Sequence, residues 1–387
     1  MKGALEGIRI LDLSRMLPFE YCTMILADLG ADVLKIEEPK IGDYMRWIPP
    51  KLKEENAIFL LLNRNKRSMT LNLRKEAAKE ILKRLAAEAD VLFESFRPGV
   101  MERLGLGYEE LSKVNPNLIY CSSTGYGQTG PYRNEPGHDI NYISIAGILE
   151  RTGLKEPVIP GIPVADMTIG VYSALAILAA LLARDRIGKG QYIDMSMTDC
   201  MLSYNIANIG DYIAGKREKA ELRGEAPYYN VYQTKDGKWL SIGNIEDKFW
   251  AEMCEGMGRA DLIERHSFGL SDEEKEELKR ELQEVFKQKT RDEWLEIFKD
   301  KDTCVTPVQT VEEALNDPNF IERGMFFEID HPKEGRIKQI ALPIKFSETP
   351  CDRRSPPPLL GEHTAEVLKG LGYDEAKIEE LKREGVI

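Results

Sequence analysis

The stretch Ile8-Arg9-Ile10-Leu11-Asp12-Leu13, then Tyr21 to Leu29, Gly30, and Ala31-Asp32-Val33-Leu34-Lys35-Ile36-Glu37 reads as strand, helix, strand. The first run is short and partly buried, Gly30 ends the helix, and Pro39 stops the second strand. The alternation continues outward. Glu76 to Ala89 has helical spacing, with Ala77, Ile81, Leu82 and Leu85 on one face. Val91-Leu92-Phe93-Glu94 is a strand, and so is Leu118 to Ser122 after the turn Asn115-Pro116-Asn117. Gly188-Lys189-Gly190-Gln191 turns the chain into one more, Tyr192 to Met195. Strands separated by helices imply a parallel sheet covered on both sides, the doubly wound α/β class.

Met167 to Ala183 is apolar on nearly all sides, as a central helix is. Beyond residue 200 the composition shifts. Tyr228 to Thr234 and Lys238 to Gly243 flank Asp236-Gly237, a hairpin with a primed turn that suits a smaller α+β domain. Charged amphipathic helices follow at Asp272 to Phe286 and Arg291 to Phe298, and a last helical stretch runs from His363 to Leu371. The expected organisation is a large domain over 1–200, a small one over 225–325, and a return to the large domain over 326–387.

The 387 residues carry a net charge of −12 with acids and bases interspersed. No basic stripe is present to neutralise phosphates, which excludes nucleic acid as the expected partner. A phosphorylated small molecule needs only a few placed arginines. The six cysteines are scattered without a C-x-x-C pair, so neither zinc nor a disulfide framework is expected. The N-terminus lacks the apolar core of a signal peptide, and Ile169 to Ala183 falls short of a membrane span. The expectation is a cytoplasmic protein with no membrane partner.

Gly125-Tyr126-Gly127-Gln128-Thr129-Gly130 fits G-x-G-x-x-G, but Pro131 follows where a dinucleotide fingerprint must open a helix. A backbone loop at the carboxyl end of a strand is the better reading. His138, in Gly137-His138-Asp139-Ile140-Asn141-Tyr142, is one of four histidines; it is either a satisfied loop histidine or a functional one whose tautomer Asp139 and Asn141 fix. Asp166, just before the long helix, has the position of an N-cap, and the same helix end can support an oxyanion. Glu246-Asp247 read as a surface cap. Arg97 and the run Asn63-Arg64-Asn65-Lys66-Arg67-Ser68 are either anion binders or solvated basic turns.

Several of these segments together resemble the class III CoA-transferase family (CaiB/BaiF type): Leu11-Asp12-Leu13-Ser14, Leu26 to Val33, Asn65-Lys66-Arg67-Ser68, Arg97-Pro98-Gly99-Val100, Gly125-Tyr126-Gly127-Gln128 and Gly188-Lys189-Gly190-Gln191. Within the family, Gly137 to Tyr142 looks like the histidine motif of the α-methylacyl-CoA racemases. The resemblance implies an interlocked homodimer with an acyl-CoA thioester as substrate and no separate cofactor or metal. It implies His138 and Asp166 as catalytic residues and Glu246 as the small-domain glutamate of the site. CoA contacts would fall on Leu71, Asn72, Leu73, Arg74, Arg97, Gly137, Asp139, Ile140, Asn141 and Tyr142. Glu38 departs from the family's frequent arginine before the proline, and Glu20 from a small residue or proline.

The implied reaction is racemisation of a 2-methylacyl-CoA by 1,1-proton transfer through an enolate, with His138 and Asp166 exchanging acid and base roles. Amides at the start of the Met167 helix are the expected support for the enolate oxygen. The alternative is CoA transfer between carboxylic acids, with Asp166 as nucleophile. Transferases of the family carry a glycine-rich small-domain loop, where Ile242-Gly243-Asn244-Ile245-Glu246 has one glycine. A non-catalytic acyl-CoA-binding protein is the third reading.

Overall fold

The first strands send alternate residues to two separate cores, as a sheet buried on both faces requires. The computed structural model describes residues 3–215, 224–266, 269–351 and 354–387. Its main sheet contains β1 (Arg9–Asp12), β2 (Asp32–Glu37), β3 (Lys66–Thr70), β4 (Val91–Glu94), β5 (Ile119–Thr124) and β6 (Tyr192–Ser196). All neighbours are parallel, in the order β3-β2-β1-β4-β5-β6. The helices of this part are α1 (Leu17–Asp28), α2 (Ala57–Leu62), α3 (Glu76–Glu88), α4 (Val100–Leu104), α5 (Tyr108–Val114), α6 (Asp139–Ile145), α7 (Val164–Ile187) and α8 (Met197–Tyr204).

Leu11, Leu34, Leu92 and Tyr120 face one core with Ile81 and Leu82 of α3, joined by Leu368 and Leu381 from the C-terminal helices Thr364–Gly370 and Glu375–Arg383. Ile10, Val33, Val91, Phe93 and Cys121 face the other, against Leu26 of α1 and Ile177 and Leu181 of α7. Gly170 lets α7 lie close on α1, because a Cβ there would come within 2.7 Å of the Pro18 carbonyl oxygen. The helix α7 is 24 residues, longer than the sequence suggests, and by length and composition it reaches the size of a membrane span. Half of its most apolar window is buried inside the fold.

Two expectations fail here. The run Asn63 to Ser68 is neither an anion site nor a solvated turn, because it leads into β3. Arg64 is buried and makes a forked pair with Asp28, its Nη2 donating to Oδ2 at 2.6 Å and its Nη1 to Gln339 Oε1 at 2.9 Å. Lys66 is buried too, donating to Asn63 Oδ1 at 2.8 Å, and Arg67 pairs with Asp32 at 2.7 Å. Buried cations are held where fixed carboxylates and carbonyls meet them.

The chain divides into two compact units. One comprises Met1–Ala146, Gly161–Tyr204 and Ile321–Ile387; the other comprises Gly147–Pro160 and Asn205–Phe320. The sequence expectation differs in placing 147–160 with the first and in its divisions at 200, 225 and 325. In the second unit, Tyr229–Gln233, Trp239–Gly243 and Val305–Pro307 form an antiparallel sheet around the Asp236-Gly237 turn. Its core gathers Tyr232, Leu240, Trp250, Leu278, Phe286 and Trp294. Helices Asp272–Phe286 and Arg291–Phe298 each open on a capping box, Ser271 with Glu274 and Thr290 with Glu293.

Candidate active site

In a parallel sheet of this order the connections reverse direction between β1 and β4, and the loops leaving the carboxyl ends of those strands part to leave a crevice. Here they are Leu13 to Met16 and Ser95 to Arg97, stitched by the Arg15 amide donating to Ser95 Oγ at 3.1 Å. A groove of about 300 Å³ opens at this point. Leu13, Arg15, Glu38 and Phe96 line it, together with all of Leu71, Asn72, Leu73 and Arg74 after β3.

The Arg15 guanidinium is held between the Tyr44 and Phe96 rings, 5.7 and 5.4 Å from their centroids. A buried charge cluster fixes its loop from behind. Lys35 donates to the Ser14 carbonyl at 2.9 Å and to Asp43 at 3.1 Å, while Asp43 accepts from the Met16 amide at 3.2 Å. Glu20 belongs to this cluster, 3.1 Å from Lys35, and is fully buried. Burial pushes its carboxyl up to about 7, against the pull of Lys35. Glu20 therefore supports the loop after β1 and does not line the groove.

On the far side of β4 the Gly125 loop follows β5. No helix opens at Gly130, in keeping with the rejection of a dinucleotide fingerprint. The loop is pinned: the Gln128 amide donates to Asp194 at 3.1 Å, its side chain to Ser122 Oγ at 2.7 Å, and the Gly125 carbonyl accepts from Thr198. Against this loop lies the ring of Tyr142, edge-on to Tyr126 at 5.2 Å. A Cβ on Gly125 would sit 2.5 Å from the Tyr142 hydroxyl oxygen, and one on Gly137 would sit 2.8 Å from its ring. Both positions need glycine for closeness. Gly125→Ala is expected to displace Tyr142, lower activity at least tenfold and cost about 1–3 kcal/mol of stability, read by steady-state rates and thermal unfolding.

His138 is exposed and sits at the N-cap of α6, where its own amide donates to Asn141 Oδ1 at 3.0 Å. The next residue makes the decisive contact. Asp139 Oδ1 accepts from the amides of Ala165 and Asp166 at 2.6 and 3.2 Å. The sequence assigns Asp166 an N-cap position and offers the α7 amides to an oxyanion, and both assignments are corrected. The helix begins at Val164, so Asp166 lies within its first turn, and Asp139 caps it from another helix. The Met167 amide is taken by the Pro163 carbonyl. Through the Asp139 contact, standard bond lengths hold the Cα atoms of His138 and Asp166 within roughly 12 Å.

Burial, with Asp139 adding like-charge repulsion, pushes the Asp166 carboxyl from 3.8 up to about 7. Tyr142 lies in the same field: burial first, then Tyr126 and Asp166, raise its phenol to about 12, and Arg97 opposes them. Thus the 71–74 groove, Arg97, Tyr142, Asp166 and the His138 segment belong to one unit and one end of its sheet. Ile140 and Asn141 are exposed on α6. Glu246 belongs to the second unit, exposed at the start of helix Asp247–Gly256. Sequence reasoning missed Arg15, whose only signal is its place after β1, and missed the tethering role of Asp139.

Residues 5–364 match the sequence model described as CoA-transferase family III. The chain is 36% identical to succinyl-CoA:glutarate CoA-transferase of Mus musculus, covering 99% of this chain and 90% of that one. It is 34% identical to α-methylacyl-CoA racemase of Homo sapiens, covering 99% and 97%. The crystal structure of a CaiB/BaiF family protein from Brucella suis matches with a TM-score of 0.84 and 36% identity, over 96% of this chain and 100% of that one. Its relatives thus include both racemases and transferases, and the protein belongs to CoA-transferase family III.

Proposed function

We propose that the protein racemises 2-methylacyl-CoA thioesters by 1,1-proton transfer, with His138 and Asp166 as the two acid–base groups. The observation that carries this reading is the Asp139 bridge, which ties the His138 segment to the first turn of α7 where Asp166 sits half-buried. A carboxyl titrating near 7 both accepts and donates a proton at neutral pH, as a two-base racemase requires. In one direction Asp166 takes the α-proton, the C–H electron pair passes into the enolate, and His138 returns a proton to the opposite face. In the other direction the roles exchange.

The enolate oxygen needs donors, and the Ala165, Asp166 and Met167 amides of α7 are already bonded. The first-turn amides of α6, Asp139 and Ile140, make no hydrogen bond among the described residues and take that role. The thioester's nucleotide end occupies the 71–74 groove. The exposed stripe Val171, Leu175 and Leu182 on α7 supports pairing with a second copy of the chain.

The rival reading is CoA transfer between carboxylic acids, favoured by the identity with the glutarate transferase. There Asp166 attacks as a carboxylate and forms an adduct that hydroxylamine cleaves. Incubating one enantiomer of a 2-methylacyl-CoA without an acceptor acid, then separating the enantiomers, tests the proposal. An approach to equal amounts supports it; unchanged substrate, with turnover appearing only when an acceptor is added, rejects it.

The raised Asp166 carboxyl sets the pH dependence. Asp166 abstracts the α-proton as a carboxylate, so one limb of the kcat/KM profile lies near pH 7. Asp139→Asn keeps an acceptor for the two amides and removes the repelling charge. Asp166 then loses its proton more readily, and that limb moves to lower pH. An unmoved limb contradicts the assignment.

A further inference from the structure

Glu38 follows β2 directly and lines the groove. In a sheet ordered 3-2-1-4-5-6, an acid just past the second strand is placed to accept from a ribose hydroxyl of a bound nucleotide, whereas a ribose phosphate calls for a cation there. Of the two acids at this corner, Glu37 is already occupied. It is buried, bonded to Arg46 at 2.7 and 2.8 Å and to Ser68 Oγ at 2.6 Å. Glu38 is different. Its side chain is 26% exposed, and its nearest cations, Arg74 at 3.6 Å and Arg15 at 4.0 Å, stand beyond hydrogen-bond distance. Its oxygens are thus steered by two guanidinium groups and open to a ligand. Glu38 and Asn72 also line an adjoining pocket of about 640 Å³, so a ligand running from the groove into that pocket passes Glu38.

We propose that Glu38 is a specificity-determining residue, which accepts a hydrogen bond from a ribose hydroxyl at the nucleotide end of the thioester and disfavours a phosphate on that ribose. This rests on the reading that the groove takes CoA thioesters. Arg15, fixed between two rings, and Arg74 meet the pyrophosphate, which is common to CoA and its 3′-dephospho form. The 3′-phosphate gains little, since the carboxylate repels it as the arginines attract it.

Calorimetric titration of the full-length protein with CoA and with 3′-dephospho-CoA tests this. Wild type is expected to bind the two within about threefold of each other, and Glu38→Arg to shift the ratio of the two affinities toward CoA by about tenfold or more. A wild-type preference for CoA of tenfold or more overturns the proposal, and so does a Glu38→Arg effect equal on both ligands. Wild type that racemises a CoA thioester yet strongly prefers CoA defeats this inference alone. Wild type that binds neither ligand defeats it together with the functional reading. The wild-type comparison needs no variant to fold.

Discussion

His138→Ala is expected to lower racemisation by about 10²–10⁴-fold, the range lost when a positioned acid–base group is removed. Affinity for free CoA should stay unchanged, because the groove is built from Leu13, Arg15, Glu38 and residues 71–74. The fold should survive as well. The imidazole is exposed, and α6 is capped by Asn141 Oδ1 on the backbone amide of residue 138, which alanine retains. Rate and binding thus separate cleanly, and kcat carries the loss. In a transferase the imidazole has no required step, and the same substitution would leave turnover nearly intact. A variant that transfers CoA at close to the wild-type rate would end the racemase reading.

Asp166→Asn should also remove about 10²–10⁴-fold of the activity, under either chemistry. Its diagnostic value lies in stability. The carboxyl titrates near 7 in the folded protein, against 3.8 ordinarily, so the folded state holds its proton more tightly than the unfolded chain does. Ionising it costs stability as pH rises from about 4 through 7, and above that range the cost is fully present. Asparagine has no proton to lose. At pH 8 the variant is expected to be more stable than wild type by about 1–3 kcal/mol, with the gap closing by pH 4. Unfolding midpoints at the two pH values read this directly. A variant less stable than wild type at pH 8 would show that Asp166 is a structural group, not a strained catalytic one. Such a trade of stability for activity is common at active sites.

Much of the sheet is legible in the sequence because apolar runs between helices leave few alternatives: Val91–Glu94 is read to the residue, and Asp236-Gly237 announces its hairpin. β3 is not legible, since Lys66-Arg67-Ser68 looks like a solvated turn until Asn63, Asp32 and Glu37 are placed beside it. Nor is α6, which has only seven residues and owes its start to the Asn141 cap. The candidate site divides in the same way. His138 and Asp166 stand out by residue type and by resemblance. Their connection is a contact from Asp139 across 26 and 27 positions, and no local pattern contains it. That contact also reverses a sequence inference: the Ala165 and Asp166 amides are spent on Asp139, and the proposed donors for an enolate come from α6 instead. The charge partners of Glu38 were hidden for the same reason, because Arg15 and Arg74 meet it only at the corner formed by three strands.

The proposed racemisation needs two acid–base groups on opposite faces of an α-carbon. Its most direct test is to incubate a single enantiomer of 2-methylacyl-CoA with the wild-type protein in deuterated water and follow the α-proton by NMR. Loss of the α-proton signal and deuterium in both enantiomers are expected, with no acceptor acid present. Full retention of the α-proton alongside an Asp166 adduct released by hydroxylamine would contradict it.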